Sequence, residues 1–437
     1  MFPAWAARIG RVERKAPVTL TVGTNWSANH AYRAQRIEAP SSVEEVQRLV
    51  TGASAVRALG TRHSFNPIAD SADLLLSTAN LDFAPHIQEH GRLVTVGAGI
   101  RYGELASELQ RNGWALSNLA SLPHISVGGA IVTGTHGSGN GVRSLAASVA
   151  ALEIVTASGD ILQLRRGDAD FDGAVVSLGA LGIVTRVALD IQPTFEIAQT
   201  VFERLPFDAA ISNFDALTGA AYSVSLFTTW QNPDVIDQVW LKRRPEADAP
   251  APANLFGAVP APQDRHPLPG ISAVNCTAQK GVPGAWLDRL PHFRLDFTPS
   301  NGEELQSEFL VPREHATAAL AAVRDLAGTI SPLLQVCEVR TLAADSLWLS
   351  SAFETDAVGL HFTWFRKQPE VEAILPELEA ALAPFHARPH WGKVFTGDRA
   401  SLERVYPRLD DFRALAARLD PNHVFVNEFL AQKILPA

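Results

Sequence analysis

The chain has 437 residues, 46% hydrophobic and 19% charged, which reads as a globular protein too large for one ordinary core and long enough for two or three lobes. A net charge of −9 without any basic block or basic–aromatic stripe excludes nucleic acid as the main partner, and no apolar run approaches the ~20 residues of a membrane-spanning helix. Cys276 and Cys337 are the only cysteines, which excludes a disulfide scaffold and a cysteine-based zinc site; no metal is expected.

The opening Met1–Arg8 lacks a secretory apolar core, so it reads as an extension of the fold, and the cytoplasm is the expected compartment. Ser41-Ser-Val-Glu-Glu45 offers two overlapping capping boxes, and Val43, Val46, Leu49 and Val50 then share one helical face, with Gly52 as a stop. Val56–Leu59 reads as a short strand that runs into Gly60-Thr-Arg-His-Ser-Phe65, a polar loop at a strand end of the kind that holds ligands in open α/β architectures. Leu74–Leu76 and Leu93–Val96 read as further strands. Tyr102, Leu105 and Leu109 form a helical stripe that Gly113 stops.

The stretch Ser121-Leu-Pro-His-Ile-Ser-Val-Gly-Gly-Ala-Ile-Val-Thr-Gly-Thr-His-Gly-Ser-Gly139 contains no acid, Lys or Arg and is dense in glycine, hydroxyls and histidine. Glycines let a backbone approach a ligand closely, and successive N–H groups bind anionic oxygens. A buried sheet-to-loop crossing without a ligand fits these residues equally well. Beyond it, Ala151–Thr156 and Ile161–Leu164 read as a hairpin, and Leu181–Thr185 opens the last strand of this lobe, which ends at Pro193. No G-x-G-x-x-G follows a strand, which argues against a Rossmann site.

Composition shifts after Pro193. Tyr222–Phe227 and Val239–Leu241 are strand-like, and seven prolines between Pro245 and Gly270 mark a long irregular loop. Leu305–Thr363 reads as strand, helix (Leu320, Val323 and Leu326), strand, strand. After Pro384 the character changes again, with His390-Trp-Gly-Lys393 and a Leu-rich end.

Side chains two apart on a strand share a face. Glu338 and Arg340 therefore project together, as do His361 and Thr363. A solvated face with a surface ion pair would look similar and mean little. The mixture of Glu, Arg, His and Thr is instead what a small polyhydroxylated ligand requires.

Gly60–Phe65, Ser121–Ser126, Gly134–Gly139, Glu338-Val-Arg340, His361-Phe-Thr363 and His390–Lys393 together resemble the vanillyl-alcohol oxidase type flavoproteins, in the branch of sugar-lactone and sugar-alcohol oxidases. The resemblance runs from about Asn25 to Phe429, and the last three motifs in this order look specific for alditol oxidases. It implies an α+β fold: a two-part FAD-binding domain (residues 20–195, joined by a C-terminal segment, 388–437) and an α+β cap with a large antiparallel sheet (196–387). It implies FAD bonded covalently through His63 and cradled by Gly60, Thr61, Arg62, Ser64, Ser121, Ser126, Gly129, Gly134, Thr135, His136, Gly137 and Ile183.

The resemblance further implies oxidation of an alditol's terminal hydroxyl to the aldose, with molecular oxygen reduced to hydrogen peroxide, by a protein expected to be monomeric. Arg340 and Lys393 would hold the reacting hydroxyl, with Ser121, Glu338, His361 and Thr363 binding the rest of the polyol. In related lactone enzymes an alanine near Ala120 restricts oxygen access, whereas alditol oxidases tolerate it. A sugar-lactone oxidase or dehydrogenase of the same branch is the alternative enzyme, and a flavin- or sugar-binding protein without turnover is the alternative outside catalysis.

Overall fold

A computed structural model describes residues 21–81, 83–297 and 303–435; the opening Met1–Arg8 lies outside these described residues. The helix Val43–Gly52 begins where the sequence places it. Ser42 Oγ accepts the Glu45 N–H at 3.2 Å, and the Glu45 carboxylate reaches back to the Ser41 N–H at 2.7 Å. Its buried face is Val43, Val46 and Val50, with Leu49 half-buried at the edge. Strands Arg36–Glu38, Leu74–Ser77 and Val56–Leu59 form a small parallel sheet, so the loop Gly60–Phe65 leaves a strand end.

A second sheet is antiparallel, in the order His86–Gln88, Leu93–Gly97, Ile183–Asp190, Val149–Val155, Ile161–Arg165. The last two strands are the expected hairpin, with Val155 opposite Ile161. The helix Tyr102–Arg111 buries Tyr102, Leu105 and Leu109. The glycine-rich stretch contains an element the sequence reading does not resolve, the short helix Val127–Val132. Gly128 makes it possible: a Cβ there would stand 2.9 Å from the Ala98 Cβ, so a side chain would push the helix off the neighbouring segment.

The largest sheet has nine strands among the described residues, all paired antiparallel. Its main path runs Val259–Pro260, Glu196–Pro206, Val235–Arg243, Ser223–Thr228, Leu334–Leu342, Ala357–Phe365, Glu304–Pro312, Arg388–Pro389. The helix Ala316–Asp325 buries Leu320 and Val323; Leu326, expected in the same stripe, is its half-buried C-cap. Apart from the two-residue strand Val259–Pro260, the proline-rich segment 245–270 stays irregular, as proline's missing donor dictates.

The chain's end packs on its beginning. Phe425 is fully buried in a cluster with Val43, Val46, Leu74, Leu76, Val155 and Ile183. The Arg57 guanidinium, also buried, donates to the carbonyls of Ile68, Leu178, Gly179 and Phe425. One charged side chain thus ties three distant segments of backbone, satisfying carbonyls that would otherwise be buried unpaired. Asn427 Nδ2 adds donations to Pro67, Ile68 and Asp70. No helix among the described residues is long and apolar enough to cross a membrane.

Candidate active site

One large cavity, about 1930 Å³ counting its open mouth, runs from the strand-end loop and the glycine-rich stretch to one face of the nine-stranded sheet. Its two ends differ in chemistry. The first is lined by Gly60, Thr61, Arg62, His63, Ser64, Ala120, Ser121, Ser126, Gly129, Thr135 and His136, together with Arg57, Gly179 and Gly182. That end carries glycines and hydroxyls and no carboxylate, and its two guanidinium groups are engaged with backbone carbonyls, so it suits an anion held by backbone N–H and hydroxyl groups. The acids that line the cavity, Glu304, Glu308 and Glu338, all come from the sheet.

His63 sits in this first end with its ring stacked on Trp26 at 5.2 Å. Its Nδ1 is buried without a hydrogen bond of good geometry, and burial, then neighbouring His124, pushes its pKa down to about 4. A neutral imidazole nitrogen held without a partner beside a cavity is chemically free to take one. Three residues expected to cradle the cofactor do not line this cavity. Ile183 turns its side chain into the apolar cluster around Phe425. Gly137 is wedged against Asn118, whose Oδ1 would lie 2.0 Å from a Cβ there. Gly134 supplies a φ of +68° just before Thr135, which does reach the cavity.

At the other end, the alternation read from the sequence holds, but the face is buried rather than solvated. Glu338, Arg340, His361 and Thr363 are each less than 10% exposed. Glu338 lies opposite His361 in register, which brings both pairs together. Arg340 Nη1 approaches Ser121 Oγ at 3.4 Å, and its Nε lies 3.6 Å from Glu338 Oε2.

Lys393 enters from the chain's last segment. It follows a turn in which its N–H donates to His390 O, and Trp391 is fully buried with its indole N–H on Leu349 O at 2.7 Å. The same turn is stitched to the His63 loop: the Phe65 N–H donates to Gly392 O, and Asn66 Nδ2 to the carbonyls of Trp391 and Lys393. The Lys393 turn and the His63 loop are therefore held together by one backbone hydrogen bond and two from the Asn66 side chain.

Two relays of the same form converge here. Lys393 Nζ donates to His361 Nδ1 at 2.6 Å, so His361 carries its proton on Nε2 and donates it to Thr363 Oγ1 at 3.1 Å. Lys242, fully buried, donates to the carbonyls of Leu290 and Pro291 and to His292 Nδ1. His292 Nε2 then donates to Glu338 Oε1 at 2.8 Å. Burial, then the adjacent lysine, lowers both histidines to about 4. Burial lowers Lys242 to about 7 against the pull of Glu338. Burial alone would raise Glu338, yet Arg340 and then His292 hold it below the usual carboxylate range.

Sequence reasoning misses Glu308, His292 and Lys242, and names His390 only within a motif, without a role. Glu308 is 1% exposed at the centre of the cluster, on the strand Glu304–Pro312. Its signal was present: Glu304, Gln306 and Glu308 alternate as the other polar pairs do. His292 and Lys242 had none, because His292 lies in an irregular segment and Lys242 just past the apolar run Val239–Leu241, where a lysine followed by an arginine reads as solvated charge.

Comparison with known proteins gives the family. The sequence matches the family model described as D-arabinono-1,4-lactone oxidase over residues 300–433 and that described as FAD binding domain over residues 34–165. It is 48% identical to an alditol oxidase of a Streptomyces species over 94% of this chain and 98% of that protein. It is 27% identical to an L-gulono-1,4-lactone dehydrogenase of Mycobacterium tuberculosis over 95% and 99%. Among solved structures, cholesterol oxidase from B. sterolicum superposes with a TM-score of 0.77 at 17% identity, covering 95% of this chain and 96% of that one, a likeness of fold.

Proposed function

The chain belongs to the vanillyl-alcohol oxidase type family of FAD-dependent oxidoreductases, as a relative of alditol oxidase, and from that premise we propose that it oxidises the terminal primary hydroxyl of alditols such as xylitol and sorbitol to the aldose. One observation carries the substrate class: a wall of buried Glu338, Arg340, His361 and Thr363, with the half-buried Lys393 beside them, faces the glycine-lined cavity. A polyol offers neither charge nor apolar surface, so its recognition rests on such donors and acceptors. A pocket built for hydroxyls rejects analogues lacking them by roughly 10⁴-fold, because its own groups are left unpaired.

The cavity's first end fits FAD. Glycines and the hydroxyls of Thr61, Ser64, Ser126 and Thr135 line it without any carboxylate, which suits a pyrophosphate, and the unpaired His63 Nδ1 supports covalent attachment at that residue. When bound, FAD supplies the acceptor for a hydride from the substrate carbon. Gly60–Ser64, Ser126, Gly129, Thr135 and His136 would hold it. Arg340 and Lys393 are the groups that can stabilise negative charge developing on the reacting oxygen. Glu338 and Thr363 accept and donate to the remaining hydroxyls, with Ser121 closing the wall.

The division of labour we propose follows the chain: residues 20–195 with 388–437 bind the cofactor, and 196–387 cover it. The packing of Phe425, Asn427 and the Lys393 turn on the first lobe supports this. Oxygen is the proposed electron acceptor, yielding hydrogen peroxide, by a monomeric cytoplasmic enzyme.

The match of residues 300–433 to the lactone oxidase family model supports a second reading, a lactone oxidase or dehydrogenase, while Ala120, which lines the cavity beside Ser121, bears on the electron acceptor rather than on the substrate. Aerobic turnover decides between them. Peroxide formation with xylitol and sorbitol, and none with gulono- or galactonolactone, is the expected result. The reverse pattern supports the lactone reading, and polyol oxidation that proceeds only with an artificial electron acceptor removes oxygen from the proposal.

A further inference from the structure

Glu308 has the smallest exposure of the ionisable groups that line the cavity's polar wall, and its two oxygens divide the cations between them. Oε1 accepts from Arg340 Nη2 at 2.8 Å and lies 3.2 Å from His136 Nε2. Oε2 accepts from Lys393 Nζ at 2.5 Å and lies 3.6 Å from His361 Nδ1. The backbone holds the same point, since the His390 N–H donates to Glu308 O at 2.9 Å. The sheet leaves room for the carboxylate: at Gly359, on the adjacent strand, a Cβ would stand 2.9 Å from Oε1.

We propose that Glu308 is a positioning residue of the polyol site, fixing Arg340 and Lys393 to one buried anchor so that both point at the same substrate oxygen and Lys393 stays charged. The inference rests on the polyol reading above and adds to it a role for a residue that need not touch substrate. Arg340 and Lys393 repel each other, and without an anion between them they would separate or one would lose its proton.

The groups around Glu308 set the sign of the expected effect. Arg340 faces it from the central strand with Glu338 beyond. His361 faces it from the next strand, His136 from the glycine-rich stretch, and His390 with Lys393 from the last segment. Glu304 and Gln306 precede it on its own strand. Burial lowers the Lys393 pKa and Glu308 is the largest opposing influence, while Arg340 lowers it further. Replacing Glu308 by an uncharged isostere therefore leaves Lys393 beside Arg340 with its main support gone, and Lys393 must deprotonate at lower pH.

Cyanate carbamylates only the neutral amine, so the pH dependence of Lys393 labelling, read by peptide mass spectrometry on the holoenzyme without substrate, reports this directly. Glu308→Gln is expected to move the half-maximal pH of labelling down by about one unit or more. Glu308→Asp, which keeps the charge, should stay nearer the parent. With polyol present, the alkaline limb of the flavin-reduction rate should move in the same direction. A merely structural role would lower the rate without moving either profile, and an unmoved Lys393 profile in Glu308→Gln overturns the proposal.

Should Glu308→Gln fail to fold, Gly359→Ala gives the test with the charge retained: the added Cβ displaces Oε1, and a downward shift is again expected, with an unmoved profile overturning the proposal. Labelling requires no turnover, so the two readings fail separately. A shifted Lys393 in an enzyme inert toward polyols keeps the role of Glu308 and overturns the substrate. Polyol oxidation with an unshifted Lys393 does the opposite.

Discussion

His292 Nε2 donates to Glu338 Oε1 at 2.8 Å, and the histidine is held in that tautomer by the Lys242 ammonium 3.1 Å from its other nitrogen. Glu338 thus presents its carboxylate to the cavity with one oxygen already fixed. Breaking a hydrogen bond to a charged group costs about 1.5–3 kcal/mol. His292→Phe is therefore expected to weaken polyol binding by about 10–100-fold while changing the limiting rate of flavin reduction little. Rapid-mixing titration with xylitol separates the two quantities. A reduced limiting rate at unchanged affinity would place His292 in the chemistry instead.

Lys393 and Thr363 stand at opposite ends of the other relay, and the expected outcomes differ accordingly. If Lys393 stabilises charge present only in the transition state, Lys393→Met should lower the limiting reduction rate by roughly 10²–10³. Thr363→Val should raise the apparent dissociation constant and leave that rate nearly unchanged. The same titration measures both. A Lys393→Met variant with a normal limiting rate and merely weaker binding removes Lys393 from the catalytic groups.

Covalent attachment has a simple chemical test. FAD should remain with the polypeptide after acid denaturation, and His63→Ala should release it. A yellow supernatant from the unmodified protein would exclude the bond to His63.

Acid stability follows from the buried histidines. His292 and His361 have folded pKa values near 4, below the ordinary 6.5, so between pH 4 and 6.5 the unfolded chain binds more protons than the folded one. Stability must then rise with pH across that window and fall on acidification. Each such histidine contributes a slope of at most about 1.4 kcal/mol per pH unit. His361→Asn should remove about one proton from the slope, as measured by urea unfolding at successive pH values. An unchanged slope would mean that His361 is charged in the folded protein.

Much of this architecture is legible in the residues. Ser42 and Glu45 announce the first helix, Val155 and Ile161 flank a turn that closes as a hairpin, and the period-2 pattern at Glu338, Arg340, His361 and Thr363 puts four polar groups of the candidate site on one face. These signals are local, and local geometry fixes them. Glu308 obeys the same period but draws no attention alone, because its meaning comes from Arg340 and Lys393, 32 and 85 positions away. His292 and Lys242 gain theirs from an irregular segment folding over a strand, which no spacing encodes. Ile183, which the resemblance places at the cofactor, turns its side chain into the core, while its neighbours Gly182 and Val184 line the cavity.

The most direct test is anaerobic mixing of the purified holoenzyme with xylitol, sorbitol, gulonolactone and galactonolactone while the visible flavin band is followed. Rapid, saturable bleaching by the two polyols, with none by the lactones, is the expected result. Bleaching by the lactones alone, or by none of the four, would contradict the assignment of the Glu338–Arg340–Lys393 wall to polyol oxidation.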